Sequence, residues 1–168
     1  MKFPEVRLRG RRIGSTRIRE LLAEGEVNLA RRMLGRPTAS KVRWFTGPNA
    51  APGSGFPTAN IHPHNRVIPR GGVYVTATLI EGQWRRSVTN IGTRPTFESG
   101  SASSVETYVM NWSGDLYGDV VRVRFLHRLR NEKKFGSIDE LKAQIERDVA
   151  RAEGYFQRRE VKRSLVIV

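Results

Sequence analysis

Over residues 73–80 apolar and polar side chains alternate: Val73, Val75, Ala77 and Leu79 fall on one side of an extended chain, Tyr74, Thr76 and Thr78 on the other. Gly82 then turns the chain into a second strand near 84–90. Residues 41–46, 105–111 and 119–127 add further strands, the last two joined through Gly114 and Gly118. In 119–127 the apolar Val121, Val123 and Phe125 share a face, while Arg122 and Arg124 point outward. Short strands at this spacing predict an antiparallel barrel, not a parallel sheet.

Helical spacing appears at the two ends. Ser15 or Thr16 is placed to cap a helix through Glu24, with Ile18, Leu21 and Leu22 on one face, and Gly25 breaks it. A second short helix, 26–34, carries Val27, Ala30, Met33 and Leu34 and stops at Gly35 before Pro37. Ser137-Ile138-Asp139-Glu140 reads as a capping box ahead of Leu141, Ile145, Val149 and Ala152. That helix is expected to close the barrel or pack on its side. Residues 1–14 lack periodicity and read as a loosely ordered lead-in. Residues 98–104 read as a mobile Ser/Gly loop, and 161–168 as an added strand or a frayed tail.

Composition narrows the class. A chain of 168 residues with 38% hydrophobic content suits one domain with a real core. It has no run of about 18 apolar residues and no signal-peptide pattern, so a membrane partner is not expected and a cytoplasmic location is. Cysteine is absent, which removes disulfides, thiolate metal sites and cysteine nucleophiles. The net charge of +14 favours anionic partners. Its arginines are dispersed, however, without the basic block interleaved with aromatics that would point to nucleic acid.

One stretch stands out, Gly55-Phe56-Pro57-Thr58-Ala59-Asn60-Ile61. In extended backbone Thr58 and Asn60 project together, and Pro57 holds the local chain still. Two neutral oxygen donors on one face suit a hard cation such as Mg²⁺ carrying nucleotide phosphates. An edge strand with two satisfied polar side chains is the other reading that these residues leave open. There is no Walker A pattern and no Gly-x-Gly-x-x-Gly opening a helix, so the common phosphate cradles are missing. His62, His64 and His127 lack metal-site spacing, and the first two read as loop histidines.

Further segments follow in order: Gly72-Val73-Tyr74, Asn90 to Phe97, Val105-Glu106-Thr107, Asp115-Leu116-Tyr117-Gly118, and Leu129 to Phe135 ahead of the last helix. Together with Gly-Phe-Pro-Thr-Ala-Asn-Ile, this set resembles the riboflavin kinase family, including the kinase module of bifunctional bacterial FAD synthetases. It covers about residues 37 to 156. The resemblance implies a six-stranded antiparallel Greek-key barrel with a C-terminal helix, here carrying a short N-terminal helical appendage. It also implies transfer of the ATP γ-phosphate to the riboflavin 5′-hydroxyl, giving FMN, with Mg²⁺ as cofactor.

On the same resemblance, Thr58 and Asn60 hold Mg²⁺ and the ATP phosphates, and Gly55 and Pro57 shape the approach to them. Glu106 is the general base. Asn90, Thr93 and Arg94 either shape the loop near the nucleotide or serve as structural turn residues; Arg130 addresses riboflavin, and Phe135 either packs on the flavin ring or anchors the following helix. Glu132 completes the family's Arg-x-Glu-x-x-Phe run. By alternation alone, Glu106 is either an exposed face residue or a placed base, because Val105, Thr107 and Val109 occupy the opposite face.

Gly14-Ser15-Thr16-Arg17-Ile18-Arg19 is similar to the motif closing the adenylyltransferase half of FAD synthetases. The nucleotide-binding core expected before it is absent from the chain, so adenylyl transfer is not expected. The organisation expected is 1–36 as this helical segment, 37–158 as the kinase-like barrel with its helix, and 159–168 as a tail. The chain departs from the family at Ala51-Pro52, where members carry Gly-Arg, and at Ser40-Lys41-Val42, which lacks a usual glycine. An altered kinase is expected, with small-molecule substrates and no nucleic-acid partner; the residues do not reach the oligomeric state. A flavin- or nucleotide-binding barrel without turnover stays open as the alternative, as does, on charge alone, a basic nucleic-acid-binding module.

Overall fold

A computed structural model describes residues 7–8, 10–45, 58–63, 67–94, 102–114 and 118–160. Strands β1 (Arg7–Leu8) and β2 (Arg11–Arg12) pair antiparallel around Gly10, whose φ of 78° suits a tight turn. Over residues 7–12 this corrects the expectation of a loose lead-in, because a hairpin this short has no room for periodicity to register; residues 1–6 lie outside the described residues.

Helix α1 (Ser15–Glu24) starts after an extended Gly14, so Ser15 and Thr16 are its first residues and not its cap. It ends at Gly25 with φ 83°, where the Gly25 N–H bonds the Leu22 carbonyl and the Glu26 N–H bonds that of Leu21. This is a Schellman stop, and it lets α2 (Val27–Leu34) begin at once. Val27, Ala30 and Met33 of α2 are buried with Leu21 and Leu22 in the cluster that also contains Val42, Val123 and Phe125. The two helices therefore share the core of the strands.

The remaining strands are β3 (Thr38–Phe45), β4 (Thr58–Pro63), β5 (Gly72–Ile80), β6 (Gln83–Arg94), β7 (Ala102–Val109) and β8 (Val120–Arg130), followed by α3 (Ile138–Glu160). Pairing runs β3-β4-β7-β6-β5-β8, all antiparallel, and β3 pairs with β8 to close the ring. The mainly β, antiparallel architecture agrees with the sequence expectation. Several bounds differ from it. β3 starts three residues earlier, residues 102–104 belong to β7 and not to a loop, and His62 lies within β4 opposite Arg43. The tail from 161 lies outside the described residues.

Both faces of β5 are buried, which explains its clean alternation. Tyr74, Thr76 and Thr78 meet the barrel interior, while Val73, Val75 and Ala77 face the cluster formed with Ala152, Tyr155 and Phe156 of α3. The interior is not all hydrocarbon. The hydroxyl of Thr76 bonds those of Ser87 and Thr89, each at 2.8 Å; Thr78 bonds Ser87 at 2.9 Å and Thr89 bonds Thr107 at 2.8 Å. Each of these five hydroxyls thereby finds a partner.

Strand β8 carries two register shifts against β5. After Phe125 pairs with Thr76, Leu126 is passed over and His127 comes opposite Val75; Leu129 is passed over before Arg130 comes opposite Val73. Bulges of this kind re-aim side chains. Here they give Leu126 and Leu129 to the α3 cluster, stack His127 on Tyr155 with ring centroids 5.4 Å apart, and bring Arg128 beside Tyr74. Helix α3 begins as its capping box predicts, with the Glu140 N–H donating to the Ser137 hydroxyl at 3.2 Å. The return bond from Glu140 reaches the N–H of Gly136, one residue earlier than in a standard box. α3 then packs on the side of the barrel.

Candidate active site

The alternation in β7 places Glu106 as expected: Val105, Thr107 and Val109 are buried in the barrel, and Glu106 lies on the other face. Register sets its neighbours. Asn90 of β6 stands opposite Glu106 on one side, and Asn60 of β4 stands opposite it on the other. Thr58 is likewise opposite Tyr108. For Thr58 and Asn60 this backbone placement is what the structure gives. Gly55, Pro57 and the departure at Ala51-Pro52 lie outside the described residues.

A cavity of about 190 Å³ opens between this sheet face and α3. Four residues given a role from the sequence, Glu106, Asn90, Arg130 and Phe135, line it together with Glu132 of the same run. They come from β7, β6, the end of β8 and the segment after it. Val73 and Val88 supply an apolar floor, and Ile145 and Val149 of α3 form the opposite wall. Apolar walls with a few convergent polar groups are the usual form of a small-molecule site.

The polar groups are held in place by specific contacts. Arg130 donates through Nε and approaches through Nη2 the same oxygen, Asp148 Oδ2, at 2.8 Å in both cases. Its Nη1 donates to the Asn131 carbonyl at 3.0 Å. The other carboxylate oxygen, Oδ1, accepts from Gln144 Nε2 at 3.1 Å. The Phe135 ring lies 5.8 Å from the Arg130 guanidinium carbon and 5.6 Å from Lys133 Nζ, within cation–π range. Glu132 rests its carboxylate where a side chain at Gly92 would stand, since a Cβ built there would be 2.6 Å from Oε1. The site thus mixes three carboxylates with two cations.

Sequence reasoning did not single out Asp148, Lys133 or Tyr108 as lining residues. Asp148 did leave a signal. It interrupts the apolar stripe of α3 between Ile145 and Val149, and it is only 2% exposed. A buried carboxylate on a core-facing stripe calls for a cationic partner elsewhere in the fold.

Among the described residues no group of three or more His, Cys, Asp or Glu side chains converges as a metal centre. His127 instead shares a 2.7 Å hydrogen bond with Asn28 of α2. A cleft of about 340 Å³ beside it is lined by Asn28, His127 and Arg128, and shares only Arg130 with the predicted set. No helix among the described residues is long and apolar enough to cross a membrane.

Comparison with known proteins adds an independent line. The family model described as riboflavin kinase matches residues 34–156. A bifunctional riboflavin kinase/FMN adenylyltransferase from Haemophilus influenzae is 43% identical over 150 residues, covering 89% of this chain and 48% of that protein. The Escherichia coli K12 protein of the same description is 40% identical over 148 residues, covering 88% and 47%. The chain spans about half the length of the curated relatives it matches. Among solved structures, a Streptococcus pneumoniae protein described as a macrolide-efflux protein superposes with a TM-score of 0.84 at 33% identity, covering 90% of this chain and 50% of that one.

Proposed function

Since the chain belongs to the riboflavin kinase family, we propose that it transfers the γ-phosphoryl group of ATP to the 5′-hydroxyl of riboflavin, producing FMN in the cytoplasm. The observation that carries this reading is the gathering of Glu106, Asn90, Arg130 and Phe135 around one cavity with apolar walls. Residues from three strands and a connecting segment converge there.

Phosphoryl transfer to an alcohol needs the hydroxyl placed in line, its proton removed and the phosphate charge neutralised. Glu106 is the group for the proton. Its carboxylate lines the cavity and can accept from a ribityl hydroxyl lying along the sheet face. Phe135 and the valine floor would hold a planar apolar ring, and Arg130 would donate to its polar edge. Asn90, opposite Glu106, orients polar groups of the substrate or the nucleotide. Thr58 and Asn60 are the pair that would hold Mg²⁺, a neutral donor set that fits this ion when nucleotide phosphate oxygens complete its shell; bound there, it would neutralise charge on the transferring group. Gly55 and Pro57 would set the path of the chain leading to this pair.

Strand order supports the finer architectural reading as well. Pairing of β4 with β7 and of β5 with β8 fits the crossings of a Greek key, the order the riboflavin kinases would share. We read 1–36 as the helical segment, 37–158 as the barrel with α3, and 159–168 as the tail.

The test is FMN formation from riboflavin, ATP and Mg²⁺, with Glu106→Gln beside the parent and CTP as a second donor. Turnover that disappears in the variant supports both the activity and the base. Absence of product from either donor, with riboflavin fluorescence still quenched on binding, would replace the kinase by a flavin-binding barrel.

A further inference from the structure

Arg130 stands at the end of β8, but it is not free to turn. Two of its nitrogens are committed to one oxygen of Asp148, and a third donates to the Asn131 carbonyl. Asp148 is itself fixed, with Gln144 on its other oxygen and only 2% exposure. The side chain of Arg130 is about 20% exposed, and the cavity accounts for a face of it. The carboxylate belongs to α3 and the guanidinium to β8, so one ion pair spans the two elements that wall the cavity.

Two consequences follow from the geometry. The guanidinium plane has a single orientation, so the N–H groups not used by Asp148 or Asn131 are presented in fixed directions. The stretch of α3 carrying Ile145 and Val149 is tied at a set distance from the sheet, which sets the width of the slot. The C-terminal part of α3 has its own anchor in Ala152, Tyr155 and Phe156. An ion pair at Asp148 therefore adds little that general helix docking needs.

We propose that Asp148 is a positioning residue for riboflavin: it orients the Arg130 guanidinium and fixes the slot that receives the flavin ring. This rests on the kinase reading above. Asp148 reaches the substrate only through Arg130, and the nucleotide end of the reaction is independent of it.

The experiment compares the parent chain with Asp148→Asn, Arg130→Met and the pair Arg130→Met/Asp148→Leu. It measures riboflavin KM, ATP KM and kcat, riboflavin affinity by fluorescence quenching, and thermal melting. Asp148→Asn should raise riboflavin KM and Kd about tenfold, while ATP KM and kcat stay within about threefold, because a misplaced binding group acts on the substrate it orients. The double variant leaves no buried charge without a partner, so it should melt near the parent yet bind riboflavin as weakly as Arg130→Met alone. A purely structural Asp148 would instead impair ATP and riboflavin kinetics together in Asp148→Asn, and the double variant would melt well below the parent. Parental riboflavin KM in Asp148→Asn, or parental riboflavin affinity in the double variant, overturns the proposal while the kinase reading stands. A parent chain that neither binds nor phosphorylates riboflavin overturns both.

Discussion

Glu106 and Asn90 are register partners across β7 and β6, and both side chains line the cavity under α3. Sixteen positions apart in sequence, they meet because the chain between them leaves β6 at Arg94 and re-enters as β7 at Ala102. A carboxylate and an amide facing one another at a cavity wall form a unit that can take a hydroxyl proton and hold the oxygen it came from.

Replacing Glu106 by Gln preserves shape and removes the proposed base. The expected loss in kcat is about 10²–10⁴-fold. Riboflavin Kd should move by less than about threefold, since the amide still accepts a hydrogen bond. Steady-state kinetics beside a direct binding titration separates the two effects.

Gly72 should not tolerate a side chain. Its φ is 149°, and a Cβ there would stand 2.6 Å from the Arg130 carbonyl oxygen and 3.1 Å from Arg128 Nε. A backbone oxygen in a paired strand cannot retreat. Gly72→Ala is expected to destabilise by at least about 2 kcal/mol, measured as a lower urea midpoint at unchanged m-value. Gly82→Ala offers a contrast: its φ of 76° strains alanine too, but nothing crowds the added carbon, so its cost should be near 1 kcal/mol.

Tyr74 should mark the alkaline limb of stability. Its buried hydroxyl donates to the Arg70 carbonyl, and burial raises its pKa above the ordinary value of 10.0, with the nearby Arg128 opposing. The unfolded phenol loses its proton first, so the native state binds the proton more tightly. The Tyr74 contribution is therefore complete below about pH 10 and is lost as pH rises through the elevated native pKa. Tyr74→Phe should cost about 1 kcal/mol at neutral pH and flatten the decline above pH 10, as read from urea unfolding across that range.

Thr89 is an inner link of the interior hydroxyl chain, bonding both Thr76 and Thr107. Thr89→Val keeps the shape but removes both bonds. Thr76 still has Ser87, whereas Thr107 loses the hydroxyl it bonds among the described residues. A loss of about 1–3 kcal/mol is expected by chemical denaturation. Thr107→Val, at the end of the chain, should cost less, because Thr89 keeps Thr76.

Much of the barrel is legible in the sequence. Period-two alternation identified β5 and the apolar side of β8, and the capping box at Ser137 started α3 where the structure has it. Glu106 was legible as a residue on the face opposite Val105, Thr107 and Val109. The β1–β2 hairpin was not, because two-residue strands are shorter than any period that could reveal them. Nor was the extension of β7 back through residues 102–104, where serines that read as a loop are held by pairing with 92–94 of β6.

Local chemistry in the sequence determined which residues could act: a carboxylate on an otherwise apolar strand, an arginine and a phenylalanine before a helix, and a rigid Thr-x-Asn pair. Those properties depend on side chain and backbone preference, which each residue carries with it. The tertiary structure decided which of them share a cavity. Strand register set Asn90 and Asn60 opposite Glu106, and two bulges in β8 brought Arg130 opposite Val73. The packing of α3 then delivered Asp148 to Arg130 from eighteen positions away. Register and helix packing follow from the fit of the whole core, so no single segment of the sequence contains them.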